Sequence, residues 1–201
     1  MIRKRFDFAS ALAGLTLCVC SSVAGAATIS VAPSVPNPVL GSEFEVVVSV
    51  SGLTDGGSLS LGAFDVDVGF DPAILSPGTV EFGDAGGASG LDPFGLGSIQ
   101  SAIVGAGSIN VSEFSLDSAA DLNLNQAGSF TLFRISFSAD AVGQSALSLF
   151  ANTIGDENGD TLLVTLDGSA VDVRPVPLPA SFVLFAAGLL VCRRVLPKRS
   201  K

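Results

Sequence analysis

Two short segments alternate between apolar and mainly polar side chains, and this period of two limits the fold more than any other feature of the sequence. The segments cover residues 43–50 and 64–71. Successive side chains of a β-strand point to opposite faces, so each segment predicts a strand with one buried and one solvent-exposed face. Asp65 and Asp67 fall on the exposed face. The side chains expected to be buried are Phe44, Val46, Val48, Phe64, Val66, Val68 and Phe70.

Further short segments with strand composition follow along the chain, separated by pieces rich in Gly, Asp, Asn and Ser. They are Thr79–Phe82, Ser98–Val104, Ser108–Phe114, Ser129–Ala139, Ser145–Phe150, Thr161–Leu166 and Ser169–Val173. Asp167-Gly168 between the last two is a good signal for a two-residue hairpin. Residues 131–137 are apolar on both faces, which predicts a covered central strand. About nine short strands with regular turns predict an all-β fold, an antiparallel β-sandwich over residues 27–173.

The residue types that the chain lacks exclude several classes of enzyme. It has no His, Tyr or Trp, and its three cysteines, Cys18, Cys20 and Cys192, lie in apolar stretches near the two ends. Histidine-dependent triads are therefore excluded, and so are a disulfide framework and a Cys/His metal site in the central domain. Carboxylates remain, with Asp65 and Asp67 on one strand face. A glycosidase would also need aromatic platforms, so we expect no catalytic activity and keep a carboxylate-based hydrolase as the weaker alternative.

Charge divides the chain into three parts. Residues 27–173 contain 18 of the 19 acidic residues and one basic residue, Arg134, which gives this domain a formal net charge of −17. The remaining basic residues cluster towards the two ends. A domain this acidic repels nucleic acid and anionic lipid, so no nucleic-acid partner is expected. Basic ends beside apolar segments indicate two membrane-directed signals around an exported domain.

Residues 1–26 have the organisation of a secretory signal peptide. Arg3, Lys4 and Arg5 form a positive segment, residues 8–23 carry no charge and are mainly apolar, and small residues follow. Ala24 and Ala26 form a small-x-small cleavage site, which predicts a mature chain beginning near Ala27. The alternative is a membrane anchor that is never cut.

The C-terminal segment, residues 174–201, combines three features in a fixed order. A proline-containing motif precedes the apolar stretch 182–192, and Arg193 and Arg194 follow it as a stop-transfer pair; the motif residues are Val176, Pro177, Leu178, Pro179 and Ala180. The stretch is short for a bilayer core of about 30 Å, but flanking arginines can snorkel, so a single transmembrane helix is expected over about residues 180–196. The positive-inside rule places the basic tail in the cytoplasm. An ordinary single-span anchor is the alternative.

This arrangement resembles the PEP-CTERM sorting signal of Gram-negative bacteria, in its VPLPA variant, with Leu178 where the commoner form has Glu. The resemblance covers residues 174–201 and implies that an exosortase, a membrane protease-transpeptidase, removes the tail. The chain would then be exported through the inner membrane, held briefly as a membrane-anchored precursor, and delivered to the cell surface or the extracellular space.

The order of the predicted strands resembles a cohesin-type domain, a jelly-roll sandwich of nine strands. The resemblance rests on a strand opening at residues 41–44, on the run of residues 61–75 that contains Asp71-Pro72, and on the closing segments 133–137, 147–149 and 155–160. It implies a β-sandwich over most of residues 27–173. Known cohesins bind dockerin modules, and other exported bacterial proteins use the fold in other roles.

The segment Asp156-Glu157-Asn158-Gly159-Asp160 supports two interpretations. Asp156, Asn158 and Asp160 offer oxygen ligands at alternate positions, as in the first part of a calcium loop. However, the sixth and twelfth positions are Thr161 and Asp167 rather than Gly and Glu, and no helices are expected beside the loop. The alternative is a polar turn between two strands. We therefore expect no cofactor and retain calcium as the alternative.

These features predict an exported protein, sorted by exosortase, that acts without catalysis as a structural or adhesive component of the surface or extracellular matrix. A protein or a surface polysaccharide would be its partner. The alternative is a cohesin-like binding module for a dockerin-like protein, and the carboxylate-based hydrolase comes third.

Overall fold

The computed structural model describes residues 26–57, 59–84 and 89–177, which form a two-layer β-sandwich with one short helix. The elements in chain order are β1 (Ala27–Pro33), β2 (Glu43–Ser51), β3 (Leu61–Gly69), β4 (Leu75–Phe82), β5 (Ser98–Val104), β6 (Ser108–Ser115), α1 (Ala119–Asn125), β7 (Ser129–Ala139), β8 (Gly143–Asp156), β9 (Val164–Asp167) and β10 (Ser169–Val173). The first sheet has the strand order β4-β7-β2-β1-β9, and the second has the order β10-β8-β3-β6-β5.

The apolar stripes of β2 and β3 meet in the core between the sheets. All seven side chains expected to be buried are less than 9% exposed, which confirms the faces assigned from the alternation. Phenylalanines close the space between the layers: the rings of Phe64 and Phe133 are 5.8 Å apart, and Phe70 meets Phe137 edge-on at 5.2 Å. Burial of this apolar surface is the main favourable term in folding.

Strand β7 lies between β4 and β2, as expected of a central strand, but the prediction that both of its faces are covered is wrong. Arg134, Ser136 and Ser138 alternate with the core residues and lie half-buried on the outer face, because the second sheet covers the inner face alone. Leu132, Phe133, Ile135 and Phe137 are all buried. Two consecutive residues, Leu132 and Phe133, can both be buried because the β2–β7 register shifts by one residue here, with Val48 opposite Phe133 and Ser49 opposite Thr131. The extra residue on β7 is a bulge, which interrupts the alternation and redirects a side chain.

The predicted hairpin at Asp167-Gly168 is wrong. Strand β9 ends at Asp167 and pairs with β1 in the first sheet, whereas β10 begins at Ser169 and pairs with β8 in the second. The chain therefore changes sheets at these two residues instead of folding back on itself. The β1–β9 pair is also parallel, the one exception to antiparallel pairing among the described strands.

Other differences concern strand limits. Strand β8 runs from Gly143 to Asp156 and is much longer than expected, while β9 is shorter than the segment predicted for it. Strand β1 and helix α1 were not among the expected elements. The helix has only seven residues, too few for a clear 3.6-residue period, and Ser118 caps it by accepting a hydrogen bond from the Asp121 backbone N–H.

Several predicted features lie outside the described residues. These are Ala24 of the cleavage site, the predicted transmembrane segment, and the motif and stop-transfer residues Leu178, Pro179, Ala180, Arg193 and Arg194. Of the other motif residues, Val176 and Pro177 are exposed and follow β10 closely. Within the part of the chain that the structure describes, no helix has the length and apolar character needed to cross a membrane.

Candidate functional site

The outer face of the second sheet carries a cluster of two carboxylates and two amides at its centre, here called the acid–amide cluster. Asp65 and Asp67 point outwards from β3, between Asn110 on β6 and Asn152 on β8. The amide nitrogen of Asn110 donates to Oδ1 of Asp65 at 2.6 Å and to Oδ1 of Asp67 at 2.9 Å. Asn152 donates to the same two carboxylates at 3.2 and 3.1 Å. The two amides thus hold both carboxylates in place, with further oxygen lone pairs available to accept hydrogen bonds.

Four large apolar side chains surround this cluster on the same face and are named the apolar ring. Ile99 and Ile103 lie on β5, Phe114 on β6 and Phe150 on β8, and each is more than half exposed. Register places them on the outer face: Ile99 is opposite Phe114, Ile103 is opposite Asn110, and Phe150 is opposite Asp67. Exposed aromatic and aliphatic side chains on one face are typical of an interaction surface.

The outer face of the first sheet is different. Its outward side chains on the central strands are mainly Ser, Thr and Glu, with Arg134 paired to Glu45 at 3.5 Å. None of the large apolar side chains that are exposed in the described residues lies on this face, where Val47 is half-buried. Among the described strands, the exposed large apolar side chains therefore lie on the second sheet and not on the first.

The concavities on the second sheet suit a protein surface better than a small molecule. A hollow of about 190 Å³ lies beside Asp65, between Ile99 and Phe114. A more open groove of about 460 Å³ lies at the end of the face near Gly69, Gln144 and Ser148. Small-molecule sites usually enclose most of their ligand in a volume of about 300–1,000 Å³. Here the hollow next to the cluster is smaller, and the larger groove is open.

Three other carboxylates, those of Asp92, Asp117 and Asp121, make separate contacts and do not join Asp65 and Asp67. Asp117 is buried at the end of β6 and accepts hydrogen bonds from the backbone of Phe94 at 2.9 Å and Leu96 at 3.3 Å. Asp92 accepts from the Gly97 backbone at 2.8 Å, and Asp121 lies in the first turn of α1. Asp92 and Asp117 thus organise the loop that precedes β5, whereas Asp121 bonds to Ser118 at the start of α1. These hydrogen bonds are sufficient to explain why the carboxylates lie where they do, without a catalytic role.

The loop at Asp156 forms a compact turn. One carboxylate oxygen of Asp156 accepts hydrogen bonds from the backbone N–H groups of Asn158 at 2.8 Å and Asp160 at 2.9 Å. Its neighbour Glu157 accepts from the Ser60 backbone at 3.3 Å and from the Asn123 amide at 3.2 Å. Among the described residues, no group of three or more His, Cys, Asp or Glu side chains is arranged to hold a metal ion. Calcium binding by Asp156, Asn158 and Asp160 stays a prediction.

Sequence reasoning placed Asp65 and Asp67 on the outer face, where they are half-buried, but missed the residues that surround them. The four residues lie on strands that were expected, although β8 is longer than predicted, yet their faces were not assigned; they are Ile99, Ile103, Phe114 and Phe150. The signal was present in β5 and β6. Strand β6 buries Ile109 and Val111, so alternation places Asn110 and Phe114 on the opposite, outer face. Pairing with β6 then extends this assignment to the residues of β5.

Comparison with solved structures identifies the fold. A non-cellulosomal cohesin from the archaeon Archaeoglobus fulgidus matches with a TM-score of 0.55 and 18% identity, over 80% of this chain and 98% of that one. The sixth cohesin of scaffoldin B from Acetivibrio cellulolyticus, solved in complex with a dockerin, matches with a TM-score of 0.57 and 17% identity, over 75% and 100% of the two chains. A type I cohesin from Clostridium thermocellum, also in a dockerin complex, gives 0.55 and 14%, over 73% and 99%.

No family model matches the sequence, and the search of curated proteins found no match. At these identities the likeness to solved structures concerns the fold. Residues 27–173 therefore form an all-β sandwich with the cohesin fold, as the sequence resemblance implied.

Proposed function

We propose that this chain is an exported, non-catalytic binding protein whose cohesin-like sandwich captures a dockerin-like protein partner on the outer face of its second sheet. The observation that carries the proposal is the contrast between the two outer faces. One presents the apolar ring around the acid–amide cluster, and the other presents small polar and charged side chains. The solved neighbours favour this binding role over the structural or adhesive role that the sequence placed first, because two of them are held in dockerin complexes.

The chemistry of this face defines the kind of partner. Asp65 and Asp67 are hydrogen-bond acceptors within a domain of net charge −17, so the partner should offer hydroxyl, amide or cationic donors at the centre of its surface. Around those donors it should carry apolar side chains to cover Phe114 and Phe150. A desolvated apolar surround strengthens the hydrogen bonds at the centre of an interface.

In this proposal, the two ends of the chain determine where in the cell the binding domain is delivered. A signal peptide over residues 1–26 exports the domain, and residues 174–201 act as an exosortase-dependent sorting signal with a transient membrane anchor. The described part is consistent with this division, because β1 begins at Ala27 and the motif starts at Val176, just after the last strand. The binding face would then be displayed at the cell surface or in the extracellular space.

Photo-crosslinking in the host tests the binding role. A photoreactive phenylalanine analogue replaces Phe114 in one full-length chain and Phe150 in a second, while a third carries it at Val47 on the opposite sheet. We expect the same exported protein to be captured from positions 114 and 150 and not from position 47. Capture that is equal on both sheets, or absent from both, contradicts the proposed face.

A charge reversal supplies the matched control. Asp67→Lys should abolish capture from position 114, because it places a cation where the partner presents donors. Glu45→Lys introduces the same change on the outer face of the first sheet and should leave capture intact. A chelator should also abolish capture if the partner is dockerin-like and depends on calcium. Equal effects of the two lysine variants would show that only the overall charge matters.

A further inference from the structure

Strand β5 is an edge strand of the second sheet, and its side chains are exposed to solvent on both of its faces. Six of its seven residues are exposed, and the seventh, Ser98, is half-buried. The strand has the sequence Ser-Ile-Gln-Ser-Ala-Ile-Val, without charge and without proline. An uncharged apolar edge is a template for pairing with another strand, and natural proteins usually protect such edges.

The other three sheet edges carry such protection. Strand β4 contains Pro77 and a register shift that follows it, and β9 has only four residues. The free edge of β10 is covered by the segment before β2: the N–H of Asp172 donates to the Pro36 carbonyl at 3.0 Å, and that of Arg174 donates to the Pro38 carbonyl at 2.9 Å. Among the described strands, β5 is the edge without these features.

Hydrogen bonds at the two ends of the β5–β6 pair show which backbone groups of β5 are free. The Gly105 N–H donates to the Ser108 carbonyl at 2.9 Å, and the Leu116 N–H donates to the Gly97 carbonyl at 3.1 Å. Bonded and non-bonded pairs alternate along an antiparallel ladder, so the odd-numbered residues of β5 bond to β6. The even-numbered residues direct their N–H and C=O groups to the open edge, and these groups have no hydrogen-bond partner among the described residues; they are Ser98, Gln100, Ala102 and Val104.

We propose that β5 pairs with β5 of a second copy of this chain, antiparallel about a twofold axis that passes beside Ser101. This register places Ser98 opposite Val104 of the second copy and Gln100 opposite Ala102 of the second copy. Every residue with free backbone groups thereby meets another such residue, and the two sheets join into one. A twofold interface requires a surface patch that is complementary to itself, which is the property of this strand.

Side chains and charge favour the second copy as the occupant. In the same register, Ile99 lies opposite Ile103 of the second copy on the outer face, and this aliphatic pair occurs twice. Cross-strand apolar pairs of this kind stabilise antiparallel sheets. The strand itself brings no charge to the interface, although each domain is strongly acidic. Repulsion between the two domains is long-range, so salt should screen it and favour the dimer.

A single engineered cysteine tests the pairing in the full-length chain. The three natural cysteines are replaced by serine, and Ser101→Cys is introduced. Across the twofold axis, Ser101 faces itself in a non-hydrogen-bonded pair, where Cα atoms lie about 4.5 Å apart, within the range that a disulfide spans. We expect most of this variant to migrate as a disulfide-linked dimer on a non-reducing gel after mild oxidation.

Ser112→Cys is the matched control, because Ser112 lies on the same face directly opposite Ser101 on β6. The two copies of this residue would be three strand spacings apart, about 14 Å, which is too far for a disulfide. Crosslinking at position 101 in at least tenfold excess over position 112 is the expected result. Low crosslinking at both positions, or equally high crosslinking at both, overturns the proposal.

A second variant separates edge pairing from other contacts. Ala102→Pro removes an N–H that faces the open edge and leaves the β5–β6 bonds in place, because proline is tolerated where the N–H is directed outwards. In the Ser101→Cys chain it should reduce the dimer at least tenfold, and an unchanged dimer overturns the pairing. Phe150→Lys changes the partner-binding face three strands away and should leave the dimer unchanged. The crosslinking experiment therefore tests the β5 pairing independently of whether a protein partner binds the outer face of the second sheet.

Discussion

Gln126 pairs with Leu61 as a neighbouring strand would. The Leu61 N–H donates to Oε1 of Gln126 at 2.6 Å, and Nε2 of Gln126 donates to the Leu61 carbonyl at 2.9 Å. The same nitrogen donates to the Gly90 carbonyl at 2.9 Å. Gln126 is 2% exposed, so one side chain satisfies the start of β3 and fixes the loop before β5.

Gln126→Leu should therefore be strongly destabilising. It leaves the Leu61 N–H and two carbonyls without their side-chain partner in a buried site, and each unsatisfied group costs about 1–3 kcal/mol. We expect a loss of at least about 2 kcal/mol in the free energy of unfolding, measured in urea. Asn125→Ala, on the exposed side of the same turn, should cost less than about 0.5 kcal/mol. A loss for Gln126→Leu no larger than that of the control would show that the pairing contributes little.

The two faces of β3 should respond differently to substitution. Val66→Asp places an unpaired charge at a position with no exposed surface and should prevent folding or cost more than about 3 kcal/mol. Asp65→Asn keeps an oxygen acceptor on the outer face and should change the urea midpoint little. If both variants shifted the midpoint equally, the assignment of the faces would be wrong.

Glu113 offers a test of a buried charge. Its side chain points into the sandwich and is 2% exposed; Oε1 accepts hydrogen bonds from Ser89 at 2.7 Å and Ser98 at 2.6 Å. Its other oxygen, Oε2, is buried without a hydrogen-bond partner among the described residues. Glu113→Gln keeps an oxygen acceptor and removes the charge, so it should raise the melting temperature. Glu45→Gln, at an exposed site, is the control and should have a smaller effect. A lower melting temperature for Glu113→Gln would show that the surrounding hydrogen bonds offset the cost of burying the charge.

The calcium hypothesis and the turn hypothesis predict different melting curves. Asp156→Ala removes the acceptor of two backbone hydrogen bonds and should lower the melting temperature even with a chelator present. If calcium also binds here, millimolar calcium should raise the melting temperature of the wild-type chain, and Asp160→Ala should remove that increase. An unchanged wild-type melting temperature in calcium leaves the turn as the sufficient explanation.

The sorting proposal predicts the C-terminus of the mature chain. In a host with an exosortase, the intact mass of the mature protein should lack residues 182–201. Replacing Pro177 and Pro179 with Ala should leave an uncut, membrane-bound precursor, because the two prolines keep the motif extended for the protease. Recovery of the wild-type chain from the envelope with Lys201 still attached would make the tail an ordinary anchor.

The alternation of apolar and polar residues predicted the strands that bury one face and expose the other to solvent. Strands β2 and β3 have this property, and their buried residues were all assigned correctly. The limits of β5, β7 and β10 were also correct, since turn residues flank them. These signals are local, and local sequence is sufficient to show them.

The features that sequence reasoning missed depend on distant contacts. Asp167-Gly168 has the composition of a hairpin, but β1 offers β9 a partner in the other sheet, and this pairing overrides the local turn preference. Gln126 acquires its role only because α1 places it beside Leu61. The candidate binding face is also a product of topology: the order β8-β3-β6 places Phe114 beside Asp65 and Phe150 beside Asp67.

The parallel pair of β1 and β9 also affects when the domain can fold. Ala27 to Ser30 pair with Val164 to Asp167, so the first strand of the domain needs residues from almost its far end. If the chain crosses the membrane N-terminus first, as proposed, β1 emerges early and has only β2 beside it until nearly all of the domain has crossed. The sandwich would therefore complete its folding only after export of the domain. Only the sorting tail would then remain in the membrane.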